Sequence, residues 1–120
     1  MEKTVYICFG ADLLHSGHIS ILQKAAALGR VVVGVLSDEV VASYRQAPMV
    51  PFAERKYVME HISGVSQVIE QTTMSYRAVL ETLKPDIVVH GDDWRSGEQR
   101  ALRAEVLSLL ARYGGQLIEF

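Results

Sequence analysis

Phe9-Gly10-Ala11-Asp12-Leu13-Leu14-His15-Ser16-Gly17-His18 is the stretch on which the reading of this chain turns. The β-type run Thr4-Val5-Tyr6-Ile7-Cys8-Phe9 leads into it, and helix formers from Ile19 to Leu28 lead out of it and stop at Gly29. A strand, a glycine-containing turn and a helix start form an anion-binding arrangement, because free backbone N–H groups and the positive end of the helix dipole face the same point. If the helix begins near Ser16 or Gly17, His15 and His18 stand three residues apart and share a face. Both imidazoles can then donate to oxygens of one triphosphate, while Gly17 lets the backbone approach closely. The competing reading is that His15 caps the turn and His18 packs or is solvated. A pair of histidines set between a strand and a helix weighs against it.

Outward from this stretch, strands and helices alternate. The first strand, about Thr4 to Phe9, is nearly all apolar or β-branched, as for a strand buried on both faces. The first helix, about Gly17 to Leu28, sets Ile19, Leu22, Ala25 and Ala26 along one stripe, with Gly29 as its C-terminal cap. Arg30 to Leu36 is a second buried strand, which completes a right-handed parallel βαβ unit. A short helix capped by Ser37 or Asp38 runs to about Ala42, and Ser43 to Pro51 reads as loop because Pro48 and Pro51 oppose regular helix. Phe52 to Ile62 is helical, with Phe52, Val58, Met59 and Ile62 expected to be buried. Then come a strand at Ser66–Glu70, a helix at Tyr76–Leu83, a strand at Asp86–His90, a helix at Gln99–Tyr113 with Leu102, Val106, Leu109 and Leu110 inward, and a strand at Gln116–Phe120. The expected fold is α/β, a Rossmann-like doubly wound five-stranded parallel sheet with helices on both faces. In such a sheet the His15/His18 turn and the Gly91-Asp92-Asp93-Trp94 turn both follow strands, so both fall on the carboxyl edge where ligands bind.

Composition narrows the function. The 120 residues make one domain. A net charge of −2 argues against a nucleic-acid partner, and no apolar run approaches the roughly 20 residues that cross a bilayer. Glu2 and Lys3 lead straight into a strand, without a signal peptide, and Cys8 is the single cysteine, expected as a small core residue in a reducing cytoplasm. There is no G-x-G-x-x-G after the first strand, no G-x-x-x-x-G-K-[ST] and no cysteine cluster, which removes dinucleotide redox, P-loop and structural-zinc readings. His15 and His18 have no obvious third metal ligand at suitable spacing.

The segment His15-Ser16-Gly17-His18, preceded by Phe9-Gly10-x-Asp12-Leu13-Leu14, resembles the HxGH signature of the nucleotidyltransferase superfamily. With Gly91-Asp92-Asp93-Trp94 and Glu54-Arg55-Lys56 the chain looks like the cytidylyltransferases that activate glycerol phosphate, phosphoethanolamine or phosphonates. The resemblance implies attack of a phosphate or phosphonate oxygen on the α-phosphorus of CTP, release of pyrophosphate, and a Mg²⁺ ion carried by the triphosphate. It places His15, His18 and Arg45 in catalytic positions. It assigns Cys8, Phe9, Gly10, Asp12 and Gly17 to nucleotide binding, with Asp12 placed to orient a histidine or the metal, Arg55 to the triphosphate, and Gly91, Asp92, Asp93 and Trp94 to the turn beside the cytosine base. Each assignment has a plainer counterpart. Asp12 can be a turn carboxylate, Arg55 a helix-surface charge beside Glu54 and Lys56, Trp94 a lid on the sheet edge, and His90 and His61 packing or surface residues.

Two departures from the family pattern stand out. Arg45 takes the place of a loop lysine, and an arginine binds phosphate in a different, bidentate geometry. The chain also stops at Phe120, before the family's R-x-x-x-I-S-[ST]-[ST] segment, so the expectation is a domain cut from a longer protein. The loop Ser43-Tyr44-Arg45-Gln46-Ala47-Pro48 looks most like the phosphonate-activating members, some fused to a phosphoenolpyruvate mutase, which makes 2-aminoethylphosphonate the favoured acceptor. The alternatives are an adenylyltransferase using ATP and a non-catalytic nucleotide-binding domain. Family members usually form homodimers.

Overall fold

The three inner strands of this chain, Thr4–Phe9, Arg30–Leu36 and Ile87–His90, hold their places because their residues are mostly apolar on both sides of the backbone. The computed structural model describes residues 2–44, 46–91, 94 and 99–120. In chain order the elements are β1 (Thr4–Phe9), α1 (Ser16–Ala26), β2 (Arg30–Leu36), α2 (Asp38–Tyr44), α3 (Phe52–Glu60), β3 (Val65–Gln71), α4 (Arg77–Leu83), β4 (Ile87–His90), α5 (Arg100–Ala111) and β5 (Gln116–Glu119). The five strands form one parallel sheet in the order β3-β2-β1-β4-β5. Val5 pairs with Val31 on one side and with Ile87 on the other. The strand order therefore reverses between β1 and β4, the position at which such sheets open a ligand crevice beyond their carboxyl ends.

Period-two alternation divides the core into two layers. Val5, Ile7, Val33 and Val89 face α1 and α3, where Leu22, Ala25 and Met59 cover them. Tyr6, Val32 and Val88 face α4 and α5, where Leu80, Val106 and Leu110 cover them. Tyr6 is fully buried, and its ring crosses β2 over Gly34. There its hydroxyl donates to Gln71 Oε1 at 2.6 Å, and Gln71 Nε2 in turn donates to the Thr73 carbonyl at 2.8 Å. A side chain at position 34 would occupy the space of the Tyr6 ring. Glycine is required there by a close approach.

The expected elements are all present, with shifted ends and some corrected faces. Ile19 is 37% exposed and Val58 51% exposed, so neither belongs to the core, whereas Phe52, Ile62 and Leu102 are only partly buried against it. The helix stripes were read from apolar character alone, but Ile19 and Val58 have no sheet opposite them. Helix α2 continues to Tyr44, beyond the expected stop at Ala42, with Ser43 Oγ donating to the Val40 carbonyl at 2.6 Å. Ser37 is its cap, accepting from Val40 N at 3.2 Å. Gly29 does not cap α1 in a left-handed conformation. Ala27 ends the helix in the right-handed region, and the Lys3 carbonyl passes close over Gly29.

Candidate active site

At the carboxyl edge of β1 the chain makes a sharp turn, and α1 begins on its far side. His15 is the N-cap of α1, and its Nδ1 accepts from Gly17 N at 3.0 Å. His18, in the first turn, returns its Nδ1 to accept from His15 N at 3.2 Å. The two bonds form a reciprocal capping box with imidazoles in place of the usual hydroxyl and carboxylate. An imidazole nitrogen that accepts carries no proton, so in the neutral form both rings keep their hydrogen on Nε2. Each ring thus has one nitrogen held by the backbone and one free to donate outward.

A Cβ on residue 17 would stand 2.7 Å from His15 Cε1. Glycine is needed here so that the His15 ring can fold back on the helix, a reason distinct from the expected approach of a ligand to the backbone. The ring centroids of His15 and His18 lie 4.1 Å apart, and Phe9 meets His18 edge-on at 5.4 Å. Burial, and secondarily the neighbouring His15, hold the His18 pKa below its ordinary value. His18 is therefore a neutral donor at neutral pH.

These residues open on a pocket of about 500 Å³ that also takes in Cys8, Gly17, Gly91 and His90. Gly17, Ser20, Ile21 and Lys24 give it one helical face of α1, and Lys24 Nζ lies 5.3 Å from the Phe120 ring centroid at its far end. None of the described residues lining it is acidic. Two imidazoles, a helix N-terminus and a lysine make it a pocket for an anion.

The structure places the other expected site residues more variously. Asp12 accepts from Met49 N at 3.1 Å and Val50 N at 2.9 Å, so its carboxylate ties the phosphate turn to the loop before α3. Arg55 is 1% exposed, which corrects the reading of it as a helix-surface charge. Its guanidinium donates to the carbonyls of Val50, Gly10 and Leu36 and to Asp38 Oδ1. Trp94 is buried at 1% exposure and stacks on His90 with centroids 3.8 Å apart. His90 is thereby fixed as a wall of the pocket, a place that its lack of any sequence pattern did not reveal. Lys24 was also missed, although its spacing from Gly17 and Ser20 on α1 was the available signal. His61 stacks on Tyr57 at the surface, as expected. Arg45, Asp92 and Asp93 lie outside the described residues.

Cys8, one residue before the end of β1, is half-buried and lines the pocket. Burial pushes its thiol up to about 12, against the opposing hydrogen bonds from Tyr76 and Tyr6. Among the described residues no three His, Cys, Asp or Glu side chains gather where they could hold a metal ion. The donor set fits a polyphosphate that brings its own cation better than it fits a resident metal.

The family model described as cytidylyltransferase-like matches residues 8–109. The chain belongs to that cytidylyltransferase-like family. Over 102 residues it is 38% identical to the bifunctional protein HldE of Helicobacter pylori strain P12, a match covering 81% of this chain and 22% of that protein. It is 33% identical over 92 residues to the ethanolamine-phosphate cytidylyltransferase of Arabidopsis thaliana, covering 72% of this chain and 21% of that protein. With the FAD synthase of Methanopyrus kandleri the identity is 32% over 96 residues, 77% of this chain and 64% of that one. The chain thus spans about a fifth of the length of the first two relatives. The crystal structure of a lipopolysaccharide core biosynthesis protein from Thermoplasma volcanium superposes with a TM-score of 0.82 at 22% identity, over 100% of this chain and 99% of that one. That likeness establishes the family's Rossmann-like fold here. No helix among the described residues is long and apolar enough to cross a membrane.

Proposed function

We propose that this domain is a nucleotidyltransferase that moves CMP from CTP to the phosphate or phosphonate of a small acceptor. The observation that supports this most is the pair of imidazoles at the start of α1, each with Nδ1 occupied by a backbone donor and Nε2–H turned outward. In the reaction an acceptor oxygen forms a bond to the α-phosphorus. The bond from that phosphorus to the oxygen bridging to the β-phosphorus breaks, and pyrophosphate leaves with the electron pair. Such a transfer needs little covalent chemistry from the protein, so positioning and charge stabilisation carry it. His15 and His18 donate to the oxygens on which charge grows, the α1 N-terminus receives the phosphates, and Lys24 adds positive charge along the pocket. Mg²⁺ bound to the triphosphate supplies charge neutralisation. Arg45, Asp92 and Asp93 enter this reading from their place in the sequence alone.

Cytidine is favoured by the family description and by the name of the Arabidopsis relative. A second reading, with ATP as donor, is favoured by the relative whose name gives an adenine dinucleotide as product. As acceptor we propose 2-aminoethylphosphonate first, on the loop from Ser43 to Pro48, with glycerol phosphate and phosphoethanolamine as its competitors. A homodimer is part of the same proposal. Leu13 and Met49, 81% and 90% exposed, flank the Asp12 clasp and offer an apolar contact. A monomer mass by light scattering at micromolar concentration would remove that element.

Calorimetric titration with CTP and separately with ATP, each with Mg²⁺, tests the reading. Tighter CTP binding that weakens in His18→Ala supports it, and tighter ATP binding transfers it to the adenylyl branch. His18→Ala should cost turnover about 10²–10³-fold, against a stability loss of only about 1 kcal/mol from the missing capping bond. Equal losses of stability and activity would return His18 to a packing role, and nucleotide binding without turnover on any acceptor would support the non-catalytic alternative.

A further inference from the structure

We propose that Arg55 is a positioning residue, which sets the Gly10–Ala11 peptide so that the Ala11 N–H serves as a phosphate donor. This inference rests on the nucleotide reading above and adds to it a residue that touches no substrate. Among the described residues only Ala11 and Lys84 combine a side chain with positive φ, and Ala11 has φ +63°. That left-handed conformation is costly for alanine and persists only where surrounding contacts hold it. At Ala11 the holding contact is visible. The preceding carbonyl, Gly10 O, receives Arg55 Nη1 at 2.5 Å, and the same nitrogen donates to Leu36 O at 2.7 Å.

The arginine cannot follow if the turn relaxes. Its Nε is fixed on Val50 O at 2.8 Å and its Nη2 on Asp38 Oδ1 at 2.5 Å, and its side chain is wholly buried. One guanidinium therefore gathers the end of β1, the end of β2, the start of α2 and the loop before α3. Lysine, a single flexible point charge, cannot span these four oxygens. In a trans peptide the N–H points opposite to the C=O, and no peptide bond described here is cis. With Gly10 O held by a buried guanidinium, the Ala11 N–H points away from that guanidinium, two residues after Phe9, which lines the pocket. Among the described residues that amide has no hydrogen-bond partner. It is a donor held ready, and the charge-assisted bond behind it keeps it so.

The test is made on the full chain with Arg55→Lys, Arg55→Lys with Ala11→Gly, and Asp38→Asn. The strength of the intraresidue HN–Hα NOE cross-peak reports the sign of φ at Ala11, strong at positive φ and weaker at negative φ, and calorimetry with tripolyphosphate plus Mg²⁺ reports affinity. In Arg55→Lys the HN–Hα NOE should weaken to the intensity of the helical and strand residues, and affinity should fall about tenfold, the worth of one oriented charged-group donor. Glycine at position 11 takes the left-handed conformation without strain, so the double variant should recover about threefold of that loss. A residue that merely supports folding would show no such recovery. Should Arg55→Lys fail to fold, Asp38→Asn, whose carboxylate is half exposed, decides. It should weaken the cross-peak and lower affinity about threefold. Retention of positive φ without the arginine, or an affinity loss that glycine does not relieve, overturns the inference. A wild-type Ala11 amide that does not shift while calorimetry detects tripolyphosphate binding overturns the inference alone, whereas a chain that binds neither tripolyphosphate nor CTP at millimolar concentration overturns the nucleotide reading on which it rests.

Discussion

Replacing Gly34 with alanine puts one methyl group into the middle of the sheet. Its carbon would stand 2.6 Å from Tyr6 Cζ and 3.1 Å from Cε1, and inside the contact radius of the hydroxyl oxygen. The ring cannot swing aside, because Tyr6 is fully buried and meets Tyr76 edge-on at 5.9 Å. Overpacking of this kind costs about 1–3 kcal/mol. Displacement of the ring also breaks the bond to Gln71, itself 2% exposed, and leaving its buried Oε1 without a donor costs a further 1–3 kcal/mol or so. A loss of about 4 kcal/mol is therefore expected, out of a total near 5–15 kcal/mol. For a chain of this size that lowers the melting temperature by about 15 °C. Calorimetric or circular-dichroism melting measures it, with Tyr6→Phe/Gly34→Ala as control. Phenylalanine removes the oxygen that meets the methyl group, so the double variant should melt higher than Gly34→Ala alone. A Gly34→Ala protein melting within about 3 °C of the parent would show that the sheet absorbs the methyl group by a shift, and would refute the packing argument.

Two titrations complete the set. The His18 pKa is depressed in the folded chain, so its stabilising share is present above the unfolded value near 6.5 and is lost as pH falls through the lower folded value. The parent's melting temperature should fall on acidification below about pH 6.5 more steeply than that of His18→Ala; parallel curves would mean that His18 titrates as a free imidazole. Cys8, with its thiol pushed up to about 12, should react with a disulfide reagent at pH 8 far more slowly than in the denatured chain. Comparable rates would show that burial does not hold the thiol protonated in the folded chain.

Much of this fold was legible because its inner strands β1, β2 and β4 are nearly continuous apolar runs closed by glycine or capping residues. Val31 to Val35 admit no other placement than a strand buried on both faces, and Gly91 follows Val88 and Val89 as directly as Gly10 follows Ile7. The site's outline was legible for the same reason, since the two turns had to share an edge. Long-range contacts were not. Arg55 reads as one charge among Glu54 and Lys56, and only the folded chain brings Gly10, Leu36 and Val50 carbonyls around it. Ile19 and Val58 satisfy a helical stripe but face solvent, because periodicity defines a face without saying what lies opposite. The function of Gly17 was hidden likewise, because the group that excludes a side chain there is a histidine ring folded back across two residues.

The strand order β3-β2-β1-β4-β5 also governs how the chain is made. By the time Gln71 has been synthesised, β1, β2 and β3 are all available, and they can pair as a three-stranded half-sheet. In that half-sheet β1, destined for the centre, is an edge, and its apolar Tyr6-Ile7-Cys8 backbone stands unpaired until Ile87 to His90 arrive. An uncovered apolar edge is a template for joining another chain. The centre of the mature sheet is thus an open edge of the half-sheet, and α4 is the short bridge whose completion delivers the strand that closes it.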